Sequence, residues 1–262
     1  MARRAAASRR AAEEAAERMR QEERRRRVRL GTTIGVLALV LVAALVGWTL
    51  SQRDRTPVAK MGSQVDVPHR ASGGAGISAA PTPAEAPTLV VYEDYQCPGC
   101  RTAHDAMAPA IEELVEQKKL GVEVRSLDFM DERLGNDAST RANVAAACAD
   151  VQGRYTAYRD EVFANQSSKK GVGYGDDQLR DQFARAADVP DLPAFQLCYD
   201  ESRTHDVVHE ISERAAKDKI NSTPQYRVLR EGQLSEPLDL QALFADQRLD
   251  ADELAAAVEQ AR

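Results

Sequence analysis

An apolar, β-rich run at residues 88–94 (TLVVYED) leads into Cys97-Pro98-Gly99-Cys100, and a helical pattern leaves it. This junction restricts the fold more than any other stretch of the chain. The run's length and its Val and Tyr content mark a buried strand. Beyond the cysteines, Met107, Ile111, Leu114 and Val115 fall on one helical face. Pro98 suits the first helical turn, where its missing N–H costs nothing. Cys97 is therefore expected at the N-cap and Cys100 one turn inside, and Pro109 predicts a kink in mid-helix. Residues 121–129 (GVEVRSLDF) come next as a second strand with Val122, Val124 and Leu127. Strand, helix, strand in this order is a βαβ unit with parallel strands.

Helical patterns then fill residues 139–151, 155–164, 177–187, 192–199 and 202–219. Gly153, the KKGVGYGDD stretch, Pro190 and Pro193 punctuate them. Tyr155, Tyr158 and Phe163 stand at helical spacing and are expected in the core. Tyr226, Val228 and Leu229 then predict a strand, with REGQ as a tight turn into another. Asp250 with Glu253 forms a capping-box pattern that opens a final helix. The expected architecture is an α/β sheet domain interrupted by a helical insertion at about residues 137–219.

A dithiol at a helix start has a chemical consequence. Unpaired backbone N–H groups and the helix dipole stabilise negative charge there. The Cys97 thiolate is favoured, which makes Cys97 a good leaving group and the disulfide a stronger oxidant. Cys100, one turn in and facing the core, is suited to resolve a mixed disulfide formed through Cys97. A zinc site would need a second close ligand pair, whereas Cys148 and Cys198 are isolated in the sequence. A purely structural Cys97–Cys100 crosslink would close almost no loop. Redox chemistry is the reading that the strand–CxxC–helix setting favours. No metal or cofactor is expected. His205 and His209 lie four apart on a helix but read as solvated positions, and His104 is expected at the surface.

Charge is distributed unevenly along the chain. Residues 1–29 hold eleven arginines and five glutamates, and residues 30–50 hold no charge. Beyond residue 50 lie 24 of the 35 basic and 36 of the 41 acidic side chains, a net of −12. Such an acidic portion argues against nucleic acid as a partner. Residues 30–50 (LGTTIGVLALVLVAALVGWTL) are long enough to span a bilayer core. The preceding arginines keep residues 1–29 in the cytoplasm as a basic tail, so the chain beyond residue 50 faces outward. The run is longer than a signal-peptide core and its exit, GWTLSQRDR, lacks a small-x-small cleavage site, so an uncleaved single-pass anchor is expected. Residues 51–87, rich in Gly, Ala, Ser and Pro, read as a flexible tether. The folded domain is assigned to residues 88–262.

From about residue 87 onward the chain resembles the DsbA-like branch of the thioredoxin superfamily. VVYEDYQCPGC matches its strand and CPxC centre, and the helical stretch after VEVRSLDF matches its insertion. NSTPQYRV matches its Thr-Pro segment. The resemblance implies a thioredoxin-like fold, with Cys97, Pro98, Gly99 and Cys100 as the redox centre. It also implies a cis peptide at Thr223–Pro224 packed against that centre, with the Thr223 backbone pairing with substrate. Many relatives carry an acidic residue six positions before the first cysteine, serving proton transfer. Here that position is Val91, and Glu93 and Asp94 are the nearby substitutes, although strand alternation would send one of them to solvent. The Pro-Gly dipeptide lacks the histidine of strongly oxidising CPHC centres, which points to a milder oxidant.

Cys148 and Cys198 lie on apolar helical faces. Outside the membrane two such thiols are expected to pair, and a loop near fifty residues would gain ~4 kcal/mol in chain-entropy terms. The alternative is two free buried cysteines. The combined reading is a membrane-anchored extracytoplasmic oxidoreductase that introduces disulfides into reduced exported proteins and is reoxidised by a membrane partner. Two alternatives stay open: a reductase or isomerase with the same chemistry, and a non-catalytic tethered binding module.

Overall fold

The computed structural model describes residues 66–70, 75–239 and 249–261. The basic tail, the expected span at residues 30–50 and the first part of the tether lie outside the described residues. No helix among the described residues is long and apolar enough to cross a membrane.

The sheet contains β1 (Ile77–Ala80), β2 (Thr88–Glu93), β3 (Gly121–Ser126), β4 (Gln225–Arg230) and β5 (Gln233–Leu234), in the order β1-β3-β2-β4-β5. Central β2 runs parallel to β3 and antiparallel to β4, and both outer pairs are antiparallel. Every residue of β2 and β3 is buried, as strands covered on both faces require. α1 (Pro98–Glu116) connects β2 to β3 and runs unbroken through Pro109. It buries Cys100, Ala103, His104, Met107, Ala110 and Leu114. The expected βαβ unit is therefore present.

The insertion is built from α2 (Phe129–Leu134), α3 (Ala138–Val151), α4 (Tyr155–Ala164), a π-helical turn at Gln178–Gln182 continuing as α5 (Phe183–Ala186), α6 (Leu192–Asp200) and α7 (His205–Lys217). It begins at Phe129 rather than near residue 137, because β3 ends at Ser126. Asp131 holds this early start in place. Its carboxylate accepts from the Ser139 and Thr140 N–H groups at 2.8 and 2.9 Å, tying α2 to the first turn of α3. The single helix expected over 177–187 is instead a π turn that tightens to α, with Leu179 and Phe183 both buried.

Alanines dominate the buried surface of α3, which lets neighbouring helices approach closely. Cys148 of α3 and Cys198 of α6 meet there in a disulfide, with their Cα atoms 5.9 Å apart. Tyr155, Tyr158 and Phe163 are buried as expected. α8 (Ala251–Gln260) packs against α1 and opens on the expected capping box of Asp250 and Glu253.

The tether reading of residues 51–87 is corrected at its C-terminal end, since β1 lies inside it. At Gly76 the small residue serves close packing rather than flexibility. A Cβ on Gly76 would come within 2.6 Å of the Val124 carbonyl oxygen, so only glycine lets the chain lie against β3 there. Residues before β1 are also fastened to the insertion. The His69 N–H donates to the Asp150 carboxylate, and Arg70 pairs with Glu210 at 3.2 Å.

Candidate functional site

The C-terminal end of β2 delivers residues 93–97 to the sheet's rim, where α1 begins. Cys97 is the N-cap of α1, in extended conformation, with Pro98 in the first turn. Cys100 lies one turn inside and is 1 % exposed, whereas Cys97 is half-buried. Both are present as thiols. The peptide between Thr223 and Pro224 is cis. Cys97 Sγ lies 3.5 Å from the Thr223 carbonyl oxygen, to which it donates when protonated. A Cβ on Gly99 would sit 3.4 Å from Pro224 Cδ and 3.8 Å from Cys97 Sγ. The structure thus brings Cys97, Pro98, Gly99, Cys100, Thr223 and Pro224 together, the placement that the family resemblance implied.

The electrostatics separate the two thiols. A hydrogen bond from the Cys100 thiol is the largest influence on Cys97, helped by backbone N–H groups of the first helical turn and by the Thr223 side chain. Against the opposing effect of burial, these bring the Cys97 thiol from 9.0 down to about 5. Burial pushes Cys100 the other way, and its bond to the Cys97 sulfur adds to the rise. One sulfur is therefore an anion at neutral pH, and the other holds its proton.

Glu93 and Asp94 are both buried, so neither points to solvent as strand alternation suggested. They play different parts. Glu93 is locked in an ion pair with Arg159 of α4, whose Nε and Nη2 donate to its carboxylate at 2.7 and 2.5 Å. Among the described residues Asp94 makes no ion pair. Its carboxylate accepts from Ser139 Oγ at 2.7 Å, Gln96 N–H at 2.8 Å and Met130 N–H at 2.9 Å. Burial dominates over these bonds and pushes its pKa up from 3.8 to about 6. The Asp94 backbone N–H donates to Cys100 Sγ at 3.4 Å. Val91 is buried in β2, opposite Tyr226 of β4.

His104 is corrected from surface to interior. It stacks on Phe163 at 4.8 Å between ring centroids, and its Nε2 lies 3.2 Å from Asp160. His205 and His209 stack on each other on α7, each beside a carboxylate of its own helix.

Several contributors were not legible. Gln166 donates from one amide nitrogen to the Tyr95 and Cys97 carbonyls, at 2.8 and 3.1 Å. The Tyr174 hydroxyl donates to the Tyr95 carbonyl at 2.6 Å. Arg101 donates to the Gln166 carbonyl at 3.1 Å. These residues stand 65 to 79 positions from their partners, and no local pattern marks such pairs.

A dithiol with one stabilised thiolate, capping a helix and facing a cis-proline in this sheet order, defines a thioredoxin-like thiol–disulfide centre. The family model described as Thioredoxin matches residues 82–242. The chain belongs to the thioredoxin family. No curated protein matches it in sequence. Solved structures similar to it include the MdbA thiol-disulfide oxidoreductase of Actinomyces oris, at TM-score 0.58 and 18% identity over 75% of this chain and 90% of that one. BdbD of Bacillus subtilis aligns at TM-score 0.58 and 17% identity, over 75% and 98%. The MdbA of Corynebacterium diphtheriae aligns at TM-score 0.52 and 20% identity, over 66% and 89%. These likenesses establish a shared fold, and at that level the DsbA-like resemblance is borne out.

Proposed function

We propose that the chain is a thiol–disulfide oxidoreductase that introduces disulfides into exported proteins from a membrane anchor at residues 30–50. The observation that carries the chemistry is the geometry of the dithiol: Cys97 caps α1 half-buried against the cis Thr223–Pro224 turn, with Cys100 buried one turn inside, an arrangement that draws the Cys97 thiol down. A stabilised Cys97 thiolate favours the reduced enzyme, so the disulfide form is an oxidant.

In the forward direction a substrate thiolate attacks Cys97 Sγ of the Cys97–Cys100 disulfide. The S–S bond breaks, Cys100 leaves with the bonding pair and takes up a proton, and a mixed disulfide forms. A second substrate thiolate then attacks the substrate sulfur of that bond and expels the Cys97 thiolate. Substrate loses two electrons and the enzyme gains them. Asp94 is proposed to handle the Cys100 proton. Its carboxyl is buried and makes no ion pair among the described residues, and its main chain touches Cys100 Sγ. Glu93 is held by Arg159 and is proposed to keep that ion pair instead. The Thr223 backbone is proposed to pair with the extended substrate. Return to the disulfide form needs an electron acceptor, for which a membrane reoxidation partner is proposed, kept close by the anchor.

Expression of the full-length Cys100→Ala variant in cell envelopes tests this reading. Trapped mixed disulfides are the expected result, formed by the reverse step: the Cys97 thiolate attacks a disulfide of an exported protein, expels a substrate thiolate, and no Cys100 thiol is present to resolve the new bond. Their absence, with the variant folded, would overturn it.

A further inference from the structure

The Thr223–Pro224 turn meets Cys97 Sγ and Gly99, while a different segment meets the other flank of the redox centre. Within loop 166–174 (QSSKKGVGY), residues 166–171, Gly173 and Tyr174 line a shallow concavity together with Gln96 and Pro98. Both ends of this loop are fixed. Gln166 bonds the Tyr95 and Cys97 carbonyls, and Tyr174 bonds the Tyr95 carbonyl. Gly173, at φ +62°, packs so closely that a Cβ would come within 2.4 Å of Ala138 Cβ. The loop's position is therefore coupled directly to the backbone of the nucleophile.

What this fixed loop displays contrasts with the rest of the chain. Lys169 and Lys170 are exposed and make no ion pair among the described residues. Val172, 58 % exposed, is one of four large apolar side chains left uncovered among the described residues. Arg101 reaches the same loop through the Gln166 carbonyl. Arg101 is paired with Asp105 at 3.7 Å, so Lys169 and Lys170 supply the positive charge that lines the concavity beside Pro98, in a chain whose residues beyond 50 carry a net charge of −12. Ammonium groups on a fixed loop attract carboxylates during encounter and penalise like charge.

We propose that loop 166–174 is a second substrate-contacting surface that selects polypeptides carrying carboxylates beside the reacting cysteine. The inference rests on the oxidoreductase reading and adds a specificity to it. Its test uses the full-length chain in detergent, oxidised, with two dithiol peptides that differ only in glutamates or lysines around one cysteine. Wild type is expected to oxidise the glutamate peptide faster. Lys169→Glu with Lys170→Glu should shift the ratio of the two rate constants by about tenfold toward the lysine peptide. Lys169→Gln with Lys170→Gln should erase the preference without inverting it. A ratio unchanged by the charge reversal would overturn the proposal. The same peptides with serine in place of cysteine, titrated by calorimetry, read the loop without the chemistry. Equal binding of the two by wild type refutes the loop. A charge preference in binding without oxidation of the cysteine peptides refutes the oxidoreductase reading alone.

Discussion

Replacing Asp94 by asparagine separates the cost of a buried carboxylate from the hydrogen bonds around it. In Asp94→Asn the side-chain oxygen still accepts from Gln96 N–H and Ser139 Oγ, now 2.8 and 2.7 Å away. The Met130 N–H, which donates to the second oxygen at 2.9 Å, instead meets an amide group and loses its acceptor. That loss costs ~1–3 kcal/mol at every pH. Burial raises the Asp94 carboxyl from 3.8 to about 6, a shift worth ~3 kcal/mol. The folded value lies above the unfolded one. This group's contribution to stability is therefore complete below about pH 4 and is lost as pH rises through about 6. Asp131 and Asp150 are shifted in the same direction by burial, so wild type alone would not isolate Asp94. The difference between wild type and Asp94→Asn does. Urea unfolding of the reduced protein at pH 4 and at pH 7.5 should show the variant gaining ~3 kcal/mol relative to wild type between the two. A difference that stays constant with pH would refute the reasoning.

The same contacts set further outcomes. Alkylation of Cys97 against pH should show a midpoint near 5, and Cys100→Ala should raise it, because the Cys100 thiol is the largest stabiliser of the thiolate. Arg159→Met leaves Glu93 buried without its cation and should cost ~3–5 kcal/mol, read as a lower urea midpoint. Replacing Glu93 by Gln in the same protein should recover part of that loss. Removing the Cys148–Cys198 disulfide by a double alanine substitution opens a loop of 50 residues and should cost ~4 kcal/mol in chain-entropy terms.

The redox centre was legible because its chemistry is local. An apolar β run, a proline suited to the first helical turn and two cysteines three apart place thiol, helix start and strand end at one point. The cis peptide before Pro224 came from a resemblance rather than from residue pattern. The positions of Glu93 and Asp94 were not legible. Strand alternation predicts one solvent-facing side chain, but the helical insertion covers the rim and buries both. Arg159, 66 positions from Glu93, supplies the counter-charge that makes such burial tolerable. His104 was misplaced for the same reason, since Phe163 of the insertion stacks over it. Strand β1 was read as tether because small residues signal flexibility in sequence, although against a neighbouring strand they permit close approach. Gln166 carried no signal at all, since its role depends on a carbonyl 69 positions away.

The reduction potential of the Cys97–Cys100 couple tests the proposed direction of electron flow most directly. It can be measured by equilibrating the full-length protein with glutathione buffers and counting free thiols. A stabilised Cys97 thiolate predicts an oxidising couple, well toward about −120 mV, with Pro-Gly keeping it milder than a centre that carries histidine. A potential near about −270 mV, the value of thioredoxin, would contradict the account and make the chain a reductase.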